Sequence, residues 1–253
     1  LWRKYYIKLI NIGLRGKSSV ITTSKHAKSK LERSFSKQKP LITPIFQSFL
    51  SSKSEDDSIL KTFNLHDSDF LLHVGSFDKR KDLITLVKAF KFLKEDKTNK
   101  HLKLVLAGRK ILNGNSEVLN ALETYILTNN LSKSVLMTDY LSRAEIRSLY
   151  KKALIYVFPS VEEGFGIPIL ESFATKTPVV TSNAGAMVEV AGGAAEHFNA
   201  GDYIELSKTL TKLITSKPKR TYLVEKGSER LKAFSREKFI NDYEHLILKS
   251  VKN

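Results

Sequence analysis

Short apolar runs alternate with amphipathic segments through most of this chain, and the alternation limits the folds open to it. Each run is nearly continuous in Leu, Val, Ile and Phe. Strands that are apolar on both faces are typical of parallel sheets with helices on both sides. The segments between the runs carry apolar residues at helical spacing, as in residues 83–93. The sequence therefore predicts an α/β fold, a doubly wound parallel sheet with helices on both faces. The runs begin near Phe70, Leu102, Val135, Leu154 and Pro178.

Composition removes several classes of function. The chain of 253 residues has no cysteine, which excludes disulfides, thiol catalysis and zinc held by thiolates. No apolar run approaches the ~18 residues that a membrane-spanning helix needs, and no signal peptide is recognisable. An apolar content of 42% and a charged content of 27% are ordinary for a soluble globular protein.

Positive charge is concentrated at the beginning of the chain. The net charge is +16, and residues 1–53 hold twelve Lys and Arg residues against one acid, Glu32. With aromatic and aliphatic residues interleaved, this segment is compatible with peripheral contact to anionic lipid headgroups. A plain solvated lysine-rich face is the competing interpretation. Nucleic-acid binding is not predicted, because the sequence holds no recognisable binding module.

The most informative stretch is residues 157–171, where an apolar run is followed by a glycine-bearing turn and a helix. A strand, a turn and a helix N-terminus in this order create a site for anions, since backbone N–H groups and the helix dipole act on the same place. Glu163 lies in the turn, and Glu171 lies about two helical turns further on. Both carboxylates can border one pocket. Phosphate bound by N–H groups and hydroxyls bound by carboxylates together indicate a sugar nucleotide.

The same stretch resembles a known family. Glu163-Gly164-Phe165-Gly166-Ile167-Pro168 followed by Glu171 is similar to the E-x7-E signature of retaining, GT-B-fold glycosyltransferases of family 4. The resemblance extends from about Ser18 to the end of the chain. It implies that the predicted sheet is the Rossmann-like C-terminal half of a GT-B fold, which binds the nucleotide-sugar donor.

The resemblance also implies a domain organisation. Residues 1–50 are predicted to be the remnant of an N-terminal, acceptor-binding domain together with the basic segment, and residues 51–68 a linker. Residues 69–235 are predicted to form the nucleotide-sugar-binding domain. Residues 236–253 are predicted to be a crossover helix that returns to the N-terminal domain, most of which is expected to be missing.

In such enzymes the first glutamate of the signature, here Glu163, contacts hydroxyls of the donor sugar. The backbone amides of Gly164, Phe165 and Gly166 are expected close to the sugar and the phosphates. Glu171 is expected to accept hydrogen bonds from the ribose hydroxyls, since a carboxylate can accept from two vicinal hydroxyls at once.

Two further loops follow predicted strands and are expected at the same edge of the sheet. In the first, Gly75 allows close backbone approach, and the resemblance implies that Arg80 and Lys81 neutralise the donor diphosphate and the leaving nucleotide. Which of the two cations contributes more is left open. The second loop holds Gly108, expected near the nucleotide, and Arg109, a weaker candidate.

The implied reaction transfers a sugar from a GDP- or UDP-sugar to a glycan or lipid-linked acceptor with retention of configuration. No metal or other cofactor is expected, because cations and a helix dipole supply the electrostatic stabilisation. The Arg-Lys loop slightly favours a mannose donor on GDP. The expected setting is polysaccharide assembly in the cytoplasm, at the inner face of the membrane.

Other functions are compatible with parts of the pattern. A glycosidase would need one of its two carboxylates to have a raised pKa, whereas a turn beside cations favours ionisation of Glu163. An epimerase or phosphorylase on the same fold would show its own histidine and acid set or a pyridoxal lysine site, and neither is visible. A non-catalytic nucleotide-sugar-binding subunit that works with a separate acceptor-binding chain stays open.

Overall fold

The structure is a computed structural model, and it describes residues 2–13, 19–35, 41–49, 54–108 and 116–251. Its elements in chain order are α1 (Trp2–Gly13), β1 (Ser19–Thr22), α2 (Lys25–Ser34), β2 (Leu41–Pro44), α3 (Ser58–Thr62), β3 (Phe70–Val74), α4 (Leu83–Glu95), β4 (Lys103–Ala107), α5 (Ser116–Thr128), β5 (Val135–Met137), α6 (Arg143–Lys152), β6 (Ile155–Phe158), α7 (Ile167–Ala174), β7 (Val179–Ser182), α8 (Met187–Ala191), β8 (Glu196–Phe198), α9 (Tyr203–Ile214), α10 (Lys217–Arg230) and α11 (Arg236–Val251). The chain divides into two compact units. Unit 1 comprises Leu1–Leu50 and Ala233–Asn253, and unit 2 comprises Ser51–Lys232.

In its described residues, unit 1 contains a two-stranded parallel sheet and the helices α1, α2 and α11. β1 pairs with β2, and α2 lies between them in sequence. The side chain of Ser24 accepts a hydrogen bond from the backbone N–H of Ala27 and so caps α2. A serine at this position satisfies an N–H group that the first turn of a helix leaves unpaired.

The helices at the two ends of the chain expose apolar side chains. The ring of Phe46, which follows β2, lies 5.3 Å from the ring of Phe234, so the C-terminal segment of unit 1 contacts the end of its small sheet. The exposed large apolar residues on α1 and α11 are Tyr5, Tyr6, Leu9, Ile10, Ile12, Ile240, Tyr243, Ile247 and Leu248.

Unit 2 is built on a six-stranded, entirely parallel sheet in the order β5-β4-β3-β6-β7-β8. All residues of β4 except the first, and all residues of β6 and β7, are buried. Burial on both faces explains why these strands read as continuous apolar runs rather than as alternating patterns. The predicted α/β fold, a doubly wound parallel sheet with helices on both faces, is confirmed.

Helix α4 buries its apolar face in a core that it shares with strands of this sheet. On α4 the buried side chains include Leu83, Leu86, Val87, Phe90 and Leu93, the predicted helical stripe. On the solvent side, α6 begins with a reciprocal cap. The Ser142 hydroxyl accepts from the N–H of Glu145, and the Glu145 carboxylate accepts from the N–H of Ser142.

Part of the segment predicted as a linker is helical in the structure. The side chains of Ile59 and Leu60 on α3, and that of Leu65 after it, are buried within unit 2. Glu55, just before α3, forms ion pairs with Arg147 and Lys151 on α6. The acidic, serine-rich composition of the surrounding residues is typical of a linker, so composition alone does not predict this helix.

Among the described residues, no helix is both long enough and apolar enough to cross a bilayer.

Candidate functional site

The order of the strands places a crevice between β3 and β6. The strands β4 and β5 extend the sheet from β3 towards one edge, whereas β6, β7 and β8 extend it towards the other edge. Loops that leave neighbouring strands in opposite directions open a crevice at the carboxyl end of a parallel sheet. The loop after β3 holds Gly75, Arg80 and Lys81, and the loop after β6 holds Glu163. A backbone hydrogen bond of 2.8 Å from Val161 to Arg80 joins the two loops.

The loop after β3 is shaped by Asp78. Its carboxylate accepts hydrogen bonds from the Ser76 hydroxyl (2.7 Å) and from the backbone N–H of Arg80 (2.9 Å). The turn at residues 79–81 ends at Asp82, whose φ of 46° is left-handed. Asp and Asn tolerate this conformation better than most residues, so Asp82 suits this position.

The two cations of this loop have different surroundings. The Arg80 side chain is 60% exposed and forms an ion pair with Asp78 at 3.3 Å. The Lys81 side chain is only 11% exposed, and its Nζ lies 2.6 Å from Oε1 of Glu163, which is 15% exposed. The same Nζ lies 4.9 Å from the centre of the Phe158 ring, a cation–π distance. The structure therefore brings together Lys81 and Glu163, which are 82 residues apart in the sequence.

The backbone of Glu163 is supported from a third loop. The N–H of Ala186 donates to the carbonyl of Glu163 at 3.1 Å. Gly185 has a φ of 61°, and a Cβ there would lie 2.8 Å from both the backbone N and O of Glu163. Both facts require glycine at this position. Sequence reasoning did not single out Gly185, although a glycine just after a buried strand is a signal for a close backbone approach.

The turn after Glu163 leads into α7 through Gly166. Gly166 has a φ of 116° and precedes the first residue of the helix, and Pro168 lies in the first helical turn. Only glycine adopts such a φ without strain, and proline is favoured at a helix start. The predicted sequence of turn and helix N-terminus is thus present, with Gly164 exposed and the side chain of Phe165 buried.

Glu171 lies on α7 in a desolvated environment. Burial raises the pKa of its carboxyl above the ordinary value, while a hydrogen bond from Tyr150 and the charge of Arg143 act in the opposite direction. The Tyr150 hydroxyl on α6 donates to Oε2 of Glu171 at 3.2 Å. Glu162, beside Glu163, is exposed. Tyr150 was not predicted as a site residue, because a tyrosine at a core position of a helix carries no distinguishing signal.

Gly75 and Gly108 lie side by side at the ends of β3 and β4. A Cβ on Gly108 would overlap the backbone carbonyl of Gly75. Close packing of the two loops is thus a sufficient reason for the glycine at position 108, whatever the ligand. Arg109, the neighbouring candidate, lies outside the described residues.

A buried histidine lies beneath the site. His73 on β3 stacks against Tyr156 and Phe158 of β6, with ring centres 6.4 and 6.2 Å apart. Its Nδ1 lies 3.1 Å from the carbonyl of Val157, so Nδ1 carries the proton of the neutral ring. Burial lowers the pKa of His73 to about 3. Its Nε2 has no hydrogen-bond partner among the described residues and lies near Gly75.

No cluster of three or more His, Cys, Asp or Glu side chains with the spacing of a metal site occurs in the described ranges.

The site and the parallel sheet lie within a segment that matches a known family. Residues 55–230 match the family described as glycosyl transferases group 1. The chain belongs to this family.

Two curated proteins are similar in sequence to most of this chain. It is 25% identical over 239 residues to the O-antigen chain mannosyltransferase B of Escherichia coli, covering 92% of this chain and 61% of that protein. It is 25% identical over 198 residues to the O-antigen chain mannosyltransferase RfbU of Salmonella typhimurium, covering 78% of this chain and 51% of that protein. The chain thus spans between about half and three fifths of these two relatives.

A solved structure supports the fold. The HepE protein of Anabaena, determined in complex with UDP-glucose, superimposes with a TM-score of 0.80 at 18% identity. The match covers 94% of this chain and 66% of that protein. At this identity the likeness shows the GT-B-type fold of the two proteins.

Proposed function

We propose that this chain is the donor-binding part of a retaining glycosyltransferase of family 4. It would transfer a sugar from a nucleotide diphosphate sugar to a glycan or lipid-linked acceptor. The observation that carries the proposal is the contact of Lys81 with Glu163 between the loops that follow β3 and β6. Glu171, the second carboxylate of the signature, lies on α7 directly after the loop that holds Glu163. Retention of configuration rests on the E-x7-E signature.

The cations of the loop after β3 are suited to the diphosphate. Arg80 is exposed and has a planar group that can bind two phosphate oxygens, whereas Lys81 is a point charge already held in the crevice. Together with the helix dipole of α7, they would stabilise the charge that develops on the leaving nucleoside diphosphate. These charges support our proposal that transfer proceeds without a metal ion.

The two glutamates are suited to hydroxyl groups. Glu163 would accept hydrogen bonds from the donor sugar while still paired with Lys81, since a carboxylate has about four acceptor positions. Glu171 would accept from the ribose hydroxyls. The amides of Gly164, Phe165 and Gly166 lie just before α7, where they would bind phosphate or sugar oxygens. On the other side of the crevice, Gly75 and Gly108 have no side chains that would occupy the space of a ligand.

A mannose donor on GDP is the first candidate, because both relatives described above are named as mannosyltransferases. A UDP-sugar is the second candidate, because the structural neighbour was solved with UDP-glucose. The basic segment at residues 1–53 and the exposed apolar residues of α1 support contact with the inner face of the membrane, where a lipid-linked acceptor would be found.

The proposal is tested by titration calorimetry of the chain against UDP, GDP, UDP-glucose and GDP-mannose. We expect one nucleotide and its sugar to bind, and binding to be lost in Glu171→Ala and in the double variant Arg80→Ala/Lys81→Ala. Lys79→Ala is the matched control, because Lys79 is an exposed cation of the same loop with no proposed role. Failure of a folded chain to bind any of the four ligands would overturn the proposal.

A further inference from the structure

Tyr150 makes a contact that the proposed machinery does not yet include. Its side chain is buried, with 1% of its surface exposed, and its hydroxyl donates to Oε2 of Glu171. Burial raises the pKa of Tyr150 well above the ordinary value, so the phenol keeps its proton. A phenylalanine would fill the same apolar space, so the hydroxyl is the part of this side chain that packing alone does not require.

Tyr150 and Glu171 are also connected through their backbones. The Thr177 hydroxyl donates to the carbonyl of Tyr150 at 2.6 Å, and the Thr175 hydroxyl donates to the carbonyl of Glu171 at 3.0 Å. The two threonine hydroxyls lie 3.0 Å from each other. The bond from Thr177 holds the segment that follows α7 against the end of α6. The backbone packing therefore fixes the position of the phenol relative to the carboxylate.

The ring of Tyr150 is held as firmly as its backbone. Its centre lies 5.0 Å from that of Tyr156 on β6, and the Tyr156 hydroxyl reaches towards the carbonyl of Val74 at 3.5 Å. Rings packed in this way lose little further freedom when a ligand binds. A preorganised donor is worth more to a binding site than one that must be ordered by the ligand.

The single proton of Tyr150 leaves most of the carboxylate available. One acceptor position of Oε2 is used, and the positions on Oε1 and the second position on Oε2 remain for other donors. A neutral donor also leaves the negative charge of Glu171 unneutralised, unlike the lysine at Glu163. Arg143 on α6 and Tyr156 on β6 are the other charged or titratable groups that act on this pair.

We propose that Tyr150 is a positioning residue whose hydroxyl holds the ionised Glu171 carboxylate in the orientation that accepts hydrogen bonds from a vicinal diol of a bound nucleoside diphosphate. This inference rests on the proposed function and adds to it the residue that sets the geometry of the ribose contact.

The test compares ligands with and without the diol. The affinity of GDP and of its 2′,3′-dideoxy analogue is measured by calorimetry for the wild type, Tyr150→Phe, Glu171→Gln and the double variant, or with the UDP pair if UDP is the nucleotide that binds. We expect Tyr150→Phe to weaken the ribonucleotide about fivefold to tenfold, the effect of one hydrogen bond, and the dideoxy analogue less than about twofold. In the Glu171→Gln background, Tyr150→Phe should have a smaller effect, because an amide oxygen accepts a weaker hydrogen bond than a carboxylate does.

A structural role alone would give a different result. If Tyr150→Phe weakens both ligands equally, or weakens neither, the positioning role is overturned. Tyr203→Phe on α9 is the matched control, since it removes a phenol hydroxyl far along the chain from the site, and it should change neither affinity. Circular dichroism and urea unfolding establish that each variant is folded.

A second readout needs no nucleotide. The titration of the Glu171 carboxyl, followed by carbon-13 NMR, should move to higher pH in Tyr150→Phe, because a hydrogen bond that favours the ionised form is lost. An unchanged midpoint overturns the contact itself. If the wild type binds no nucleotide, the proposed function and the diol role both fail, whereas the NMR midpoint still decides whether Tyr150 stabilises the ionised carboxylate.

Discussion

Glu163 and Glu171 come from one short motif, but they are held in opposite ways. Glu163 lies in a turn and is paired with the cation of Lys81 at 2.6 Å, with the backbone of a third loop against its own. Glu171 lies on a helix and is bonded to a neutral phenol, and burial raises the pKa of its carboxyl. One carboxylate is in an ion pair, and the other is held by a hydrogen bond from an uncharged group.

The difference indicates what each end of the crevice can bind. Around Glu163 the charges are balanced before any ligand arrives, so an incoming diphosphate has to share Lys81 with the carboxylate. Around Glu171 the hydrogen-bonding partner is an uncharged phenol, and the charge of Arg143 does not offset the cost of burial. Such a carboxylate costs stability in the empty protein and favours hydroxyl donors. A site for a sugar nucleotide needs both environments, one for phosphate and one for a diol.

The largest effect is expected from breaking the ion pair. Lys81→Met keeps an apolar stem over Phe158 but leaves the poorly exposed Glu163 without its cation. Removing one partner of a buried pair costs about 3–5 kcal/mol, and the partial exposure here reduces this to about 2–3 kcal/mol. Urea unfolding of the wild type and the variant measures the loss.

The double variant Lys81→Met/Glu163→Gln is the control for this prediction. Because it removes both charges, it should recover at least half of the stability that Lys81→Met loses. If the double variant is no more stable than Lys81→Met, the loss comes from packing of the lysine stem, and the contrast between the two glutamates is wrong.

The next effect concerns the backbone support of Glu163. Gly185→Ala places a Cβ 2.8 Å from the backbone of Glu163 and forces an alanine to a φ of 61°. We expect a loss of about 1–2 kcal/mol in thermal or urea unfolding. Gly193→Ala is a matched control, since Gly193 also has a positive φ but no atom within 4 Å of its Cβ position. Equal losses would show that φ alone, and not the contact with Glu163, requires glycine at 185.

A smaller effect of the opposite sign is expected at the other end of the crevice. Glu171→Gln removes a desolvated charge and keeps an oxygen that can accept from Tyr150. It should therefore stabilise the protein by about 0.5–1 kcal/mol at neutral pH while it weakens nucleotide binding. Unfolding and calorimetry on the same sample check both halves. A destabilised Glu171→Gln would mean that Glu171, like Glu163, has a cationic partner that matters.

The smallest effect is the pH dependence of the stability that Glu171→Gln gains. Because the folded pKa of Glu171 is raised above the unfolded value of 4.5, the native state binds the proton more tightly. Its contribution to stability is complete below the unfolded pKa and is lost as the pH rises through the folded pKa. The advantage of Glu171→Gln should thus be present at about pH 7 and vanish at about pH 4. Asp82, whose pKa burial also raises, contributes equally to both proteins.

Much of the fold could be predicted because its strands are buried on both faces. Continuous apolar runs such as residues 102–107 and 154–158 predict a parallel sheet. The loops that follow its strands then place Gly75, Lys81 and Glu163 at the carboxyl ends of the strands. Helix α3 was not predicted, because its few apolar residues lie in an acidic, serine-rich stretch. Helix α3 packs against α6, which begins 81 positions after α3 ends.

The contacts inside the site were less accessible to sequence reasoning. The pair of Lys81 with Glu163 depends on which strands become neighbours, and the bond from Tyr150 depends on how α6 packs beside α7. A tyrosine and a phenylalanine fit a helical core pattern equally well. Local patterns thus gave the residue types around the crevice, whereas the partner of each carboxylate is set by tertiary packing.

The close approach of Gly108 to Gly75 has a consequence for mutational scans of this protein. Any side chain at position 108 would meet the Gly75 carbonyl, so every substitution there is expected to lower the amount of folded protein. An activity screen in cells would score position 108 as intolerant even if no ligand touched it. Selection for a folded domain is by itself enough to keep glycine at that position through evolution.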